Sequence, residues 1–227
     1  MDKFVELIRA LVKKCAAAKL YFRADKCVIG VKSLRLLGHI IDGKGIRMAD
    51  DHREEVANLP FPENPKKLRA ALGETNYQRA FIPNYALITK PLTKLVNGTT
   101  AEMHTDEART AWKQLMRAIA DQMSLSHLDY RHQIRMKVDA SIRGVAYSLF
   151  MVGVNGDGER WERLVAVCSH GFNKTEMHWK TIEQECFAMV FGCRYWFPLL
   201  WGIMFVIDSD HKNLSYIHQG SSSKVVR

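Results

Sequence analysis

The chain has 227 residues, 47% apolar and 25% charged, with a formal net charge of +9. That composition argues against a disordered or fibrous chain, and no apolar run approaches the roughly 18 residues of a membrane span, so no membrane partner is expected. The basic balance points to an acidic partner, of which nucleic acid is the commonest, although many basic proteins never touch it.

Five cysteines, at positions 15, 27, 168, 186 and 193, are widely spaced and form no Cys-x-x-Cys pair. Buried free thiols in a reducing compartment are expected, rather than a disulfide framework or a zinc site. The N-terminus carries charge early and lacks the features of a secretory signal, so an intracellular, non-secreted protein is expected.

In chain order, residues 4–19 space Phe4, Leu7, Ile8, Leu11, Val12 and Cys15 as a helix. Leu20–Phe22, Cys27–Val31 and Leu34–Ile41 read as short strands, punctuated by Gly30 and by Asp42-Gly-Lys-Gly45. Asp50-Asp51 could suggest a metal dyad. Asp51, however, precedes Glu54 by capping-box spacing, and capping is the reading we adopt. Asn64-Pro65 opens a helix carrying Leu68, Leu72, Thr75 and Arg79 until Ile82-Pro83 stops it. A helical turn is expected over Pro91–Val96, ended by Asn97-Gly98. A further helix from about Thr105 places Ala108, Trp112, Leu115, Met116 and Ile119 on one face.

After about Tyr130 the pattern changes to strands at Ile134–Val138, Val145–Val152 and Leu164–Cys168, with a hairpin turn over Gly153–Gly158. A helix over roughly 180–197 and a strand at Met204–Ile207 follow. The expected fold is α/β (α+β): a helical and β-hairpin first part, then a mixed sheet with a crossover helix. The expected divisions are 1–47, 48–130 and 131–227.

Three carboxylates of the second half occupy useful positions: Asp139 at a strand end, Glu185 on the crossover helix and Asp210 just past the last strand. Converging carboxylates suit magnesium, a hard cation that prefers oxygen ligands. Spacing alone is weak support, because an aspartate after a strand is often only a turn residue. The apolar stripe Ile182, Cys186, Met189 and Cys193 is flanked by Glu183 and Glu185 on opposite sides, so periodicity leaves open which of them faces a site.

Three stretches then carry a resemblance: "VDASIRG" at 138–144, "HWKTIEQECFAMV" at 178–190 and "DSDHKNL" at 208–214. They resemble the ribonuclease H domain of gypsy-type LTR-retrotransposon Pol polyproteins. "KCVIG" with "LRLLGHIIDGKGI" at 26–46, and "LRAALGETNYQRAFIPNYALITKPLTKLV" at 68–96, are similar to the end of the palm and to the thumb and connection of the same family's reverse transcriptase. The resemblance implies that Asp139, Glu185 and Asp210 hold two Mg²⁺ ions, or Mn²⁺, and hydrolyse RNA in RNA–DNA hybrids, within a polyprotein that is also an RNA-directed DNA polymerase. It also implies contact of Arg69, Tyr77, Arg79, Lys90, His211 and Lys212 with the hybrid or a template–primer duplex. The residue-level alternatives are a solvated basic face, a packed Tyr77 and a strand-exit turn at His211-Lys212.

Departures from the family pattern are Gly144-Val-Ala-Tyr-Ser-Leu149 after the first aspartate and Glu74 at a usual leucine. The polymerase's Tyr-x-Asp-Asp motif does not occur in these residues, and the family's fourth acidic ligand is expected beyond Arg227. The rival reading is therefore a catalytically inactive relic that binds nucleic acid.

Overall fold

The structure is a computed structural model that describes residues 2–209. It separates into a small unit, residues 1–34, and a large one from Arg35 onward. In the small unit, α1 (Asp2–Ala17) is the expected helix, and Phe4, Leu7, Leu11 and Val12 on it are exposed. The strands expected at Leu20–Phe22 and Cys27–Val31 are absent; those stretches are irregular around a single 3₁₀ turn at Ala24–Lys26. Isolated apolar runs of three to five residues satisfy a strand's composition, but a strand also needs a neighbour to accept its backbone hydrogen bonds.

The expected strand at 34–41 is instead two, β1 (Ser33–Leu36) and β2 (His39–Asp42), which form a small sheet with β3 (Gly45–Met48) in the order β1-β2-β3. The break falls at Leu37-Gly38, both with positive φ. Asp42 organises the β2–β3 turn: its carboxylate accepts the Lys44 N–H at 2.8 Å and the Arg47 guanidinium at 2.6 Å. Gly45 is required there, since a Cβ would lie 2.0 Å from the Leu125 carbonyl oxygen.

Helices follow: α2 (Asp50–Ala57), α3 (Pro65–Asn76), α4 (Tyr85–Leu95), α5 (Thr100–Met103) and α6 (Asp106–Ala120). The Asn64 cap is present, its side chain accepting the Lys67 N–H at 2.9 Å, and Thr105 caps α6 by accepting from Ala108 at 3.3 Å. The Asp51 cap is not. Ala49 holds the N-cap position, and Asp51 lies in the first turn, paired with Arg35 at 2.8 Å. There its charge still complements the helix dipole.

The segment around Pro91 also differs from expectation. It is the middle of an eleven-residue helix, not a short turn. Proline removes one intrahelical donor, yet α4 runs on because its other face is anchored in the core by Tyr85, Thr89 and Leu92. Val56, Leu68, Ile82, Leu92, Trp112, Leu115 and Ile119 form this helical core.

A second core belongs to a four-stranded sheet of order β6-β5-β4-β7, made of β4 (Gln133–Ser141), β5 (Gly144–Val154), β6 (Arg160–Gly171) and β7 (Phe205–Asp208). The first three strands are antiparallel neighbours. The crossover α7 (Thr181–Tyr195) and the short α8 (Phe197–Leu200) return the chain to lay β7 parallel to β4. Met136, Val145, Tyr147 and Leu149 pack from the sheet against Ala188 and Trp196. This is the mixed sheet expected from the sequence.

The cysteines are free, as expected, but less buried. Cys27 is exposed, and the other four are half-buried. No helix among the described residues is long and apolar enough to cross a membrane.

Candidate functional site

The two glutamates that periodicity left open are separated by the structure. Glu183 folds back over the start of α7 and accepts the Lys180 N–H at 2.8 Å, a cap at the surface. Glu185 is 3% exposed. The buried face of α7 is not the expected stripe through Ile182, Cys186, Met189 and Cys193. It runs through Gln184, Glu185, Ala188 and Gly192, so Glu185 lies in the centre of the packed face instead of on its flank. Gly192 fixes that rotation, because a Cβ there would lie 2.8 Å from the Met136 sulfur of β4. A carboxylate this deep must be held by polar or cationic partners to stay charged. One neighbour is Ser209, whose Oγ lies 3.5 Å from Glu185 Oε2 where the chain leaves β7.

β7 brings a second acid to the same edge. Its register sets Lys137 opposite Asp208, so β4 and β7 run in one direction and β7 ends first, leaving β4 to continue to Ser141. Asp208 is paired with Arg135 at 2.5 Å, and that bond holds the guanidinium above its ordinary pKa. Sequence reasoning missed this pair; the only available signal was the two basic residues, Arg135 and Lys137, on one pleat of β4.

Asp139 lies in the β4 extension past the end of β7 and is exposed. Strand alternation puts Met136 and Val138 in the core and sets Asp139 on the other pleat with Arg135 and Lys137. It lines a small 180 Å³ recess with Asn84, Ser148 and Cys168. Asp210, His211 and Lys212 lie outside the described residues. Among the described residues, no three His, Cys, Asp or Glu side chains are grouped to hold a metal ion. Glu185 is buried on α7 and Asp139 lies on the pleat of β4 that faces away from the Met136–Val138 core; both offer oxygen donors of the kind a hard cation takes.

The basic residues of the helical half have specific neighbours. Arg69 donates to Asn97 Oδ1 at 2.9 Å. Lys90 donates to the Phe172 and Arg143 carbonyls at 2.7 and 3.0 Å, tying α4 to the sheet. Burial, then the nearby Lys94 and Arg143 charges, lowers the Lys90 pKa. Arg69, Arg79 and Lys90 line one cleft; Tyr77 does not. Its hydroxyl donates to the Leu37 carbonyl and approaches His39 Nδ1 at 3.2 Å, so Tyr77 fastens α3 to the small sheet while remaining 47% exposed.

Residues 129–227 match the family described as the RNase H-like domain found in reverse transcriptase. Over those residues the chain is similar to the RNase H-like domain of reverse transcriptases. It is 31% identical over 96% of its length to the retrovirus-related Pol polyprotein from transposon 297 of Drosophila melanogaster. It is 25% identical over 94% of its length to the transposon Tf2-3 polyprotein of Schizosaccharomyces pombe. It spans 20% and 16% of those two polyproteins. The fold is similar to that of the foamy viral protease-reverse transcriptase in complex with RNA/DNA hybrid, with a TM-score of 0.71 and 21% identity, covering 96% of this chain and 29% of that one. The same viral protein in complex with dsDNA gives a TM-score of 0.74 at 20% identity, covering 96% and 45%.

Proposed function

We propose that the sheet half is a metal-dependent ribonuclease H module that hydrolyses the RNA strand of RNA–DNA hybrids, within a Pol polyprotein that is also an RNA-directed DNA polymerase. The observation that carries it is the carboxylate of Glu185, buried on α7 and 3.5 Å from Ser209, which immediately precedes Asp210. Asp139, Glu185 and Asp210 are the residues that would hold the cations. Asp208 is excluded from that set because Arg135 already engages it. A bound pair of Mg²⁺ or Mn²⁺ ions would supply an activated water and stabilise the leaving 3′-oxygen. The chain's own task is to fix the carboxylates before substrate arrives, which α7 does by packing Glu185 into the sheet. Cleavage would leave a 3′-hydroxyl and a 5′-phosphate. A reducing intracellular compartment suits five free cysteines.

A second reading is a nucleic-acid binder without turnover. Asp139, on the pleat away from Val138, favours it. One experiment decides. Incubate the purified chain with labelled RNA–DNA hybrid, RNA duplex and DNA duplex, with Mg²⁺, Mn²⁺ or EDTA. Metal-dependent cleavage of the hybrid alone, lost in Asp139→Asn and Glu185→Gln but kept in Glu183→Gln, supports the nuclease. Salt-sensitive binding with no cleavage in either metal supports the binder.

A further inference from the structure

A cleft of 650 Å³ opens between α3 and α4 on one side and β6 and the end of α7 on the other. Asp139 and Glu185 do not line it, so it is separate from the proposed nuclease site. Its volume falls in the range of small-ligand pockets, roughly 300–1,000 Å³. Arg69, Arg79 and Lys90 border it, and none of the residues lining it is an aspartate or a glutamate. Two of these cations are already occupied, Arg69 with Asn97 and Lys90 with backbone carbonyls. Arg79 is exposed, pairs with no carboxylate among the described residues, and lies within reach of the Tyr195 hydroxyl.

The opposite wall is aromatic. Phe191 and Tyr195, one helical turn apart on α7, are stacked at 6.3 Å between centroids with 12° between planes. Both line the cleft, and Tyr195 is 47% exposed. A flat, accessible ring beside a guanidinium that no carboxylate among the described residues neutralises suits a ligand with a planar face and an anionic group. Guanidinium matches phosphate in geometry and charge, and bases stack on tyrosine without regard to sequence.

We propose that this cleft binds a single nucleotide unit, its base on Tyr195 and its phosphate on Arg79. The unit is either a free nucleoside monophosphate or one unpaired nucleotide of a strand. The proposal does not depend on the nuclease reading, and its test is run in EDTA, where failure of one leaves the other untouched.

The full chain is titrated with adenosine 5′-monophosphate, adenosine and inorganic phosphate by calorimetry, and with a short single-stranded RNA by anisotropy. The monophosphate should bind more tightly than either of its parts. Arg79→Ala should weaken it by roughly tenfold, the effect of losing one charge-assisted bond. Tyr195→Ala should weaken it by a similar factor, roughly, while Tyr195→Phe retains binding because the ring remains. Both side chains are exposed, and circular dichroism checks that the variants fold. Loss of RNA binding in Arg79→Ala, with competition by the monophosphate, assigns the site to strands; RNA binding unchanged by Arg79→Ala assigns it to free nucleotides. The proposal is overturned if the monophosphate does not saturate by about 10 mM, or if Arg79→Ala and Tyr195→Ala both bind it like the parent.

Discussion

The helical half and the sheet half of the large unit treat their polar groups differently. In the helical half several acids and caps are satisfied within a few residues, Asn64 by Lys67, Glu63 by Lys67 and Asp50 by Arg53, with the Asp51–Arg35 pair an exception. In the sheet half the comparable groups find partners far along the chain: Arg135 with Asp208, Lys137 with Glu162, Glu185 beside Ser209. Local satisfaction gives a scaffold that can be read from sequence. Distant satisfaction joins groups that only the fold makes neighbours, and chemistry needs that kind of convergence.

The contrast can be broken most strongly at its cores. Leu115→Ala, at a fully buried site of α6, should destabilise the chain by about 2–5 kcal/mol in urea denaturation. If the halves unfold together, tryptophan fluorescence and far-UV dichroism will shift by the same amount. If they unfold independently, the signal from Trp196 in the sheet core will keep its midpoint.

A smaller change tests the tie between the halves. Lys90→Met removes the donor to the Phe172 and Arg143 carbonyls and should cost about 1–3 kcal/mol, split unequally if the halves are loosely coupled. An unchanged urea midpoint would show that Lys90 is not a structural tie. Asn64→Ala removes a purely local cap and should cost about 1 kcal/mol, with amide exchange accelerated in the first turn of α3 and not in the sheet.

The smallest effect is electrostatic. The Arg47 guanidinium, chiefly, with the Lys44 N–H, holds the Asp42 carboxyl below its ordinary 3.8. A depressed folded value means that the stabilisation is present above the ordinary range and lost as pH falls through the folded value. Amide exchange at Lys44 should therefore rise only below about pH 4, and Asp42→Asn should abolish that dependence.

Much of this architecture was legible in the sequence where its cause is local. The Asn64 cap, the start of α6 near Thr105, the β5–β6 hairpin and the β4-α7-β7 order follow from residue chemistry and period. The expectations that failed have non-local causes. Leu20–Phe22 and Cys27–Val31 have strand composition, but form no ladder. Pro91 suggests a break, yet the core contacts of α4 carry the helix past it. Asp51 has capping spacing, but Arg35 takes its carboxylate.

The site divides the same way. Position along the chain offered Asp139, Glu185 and Asp210 with Glu183 left open beside Glu185, and the resemblance chose Glu185. The rotation of α7 was not legible, because Cys186, Met189 and Cys193 form a credible apolar stripe. Only packing against Met136 shows that Gly192 permits the close approach and turns Glu185 inward.

By itself the sequence determined the starts of α3 and α6, the strand periods of the sheet half and the order of its elements, since each depends on residues within a few positions of one another. The tertiary structure alone decided which carboxylates are already committed, which glutamate is buried and where Arg79 meets Tyr195. Those outcomes depend on contacts between segments tens of residues apart, and on which face of a helix fits the sheet most closely.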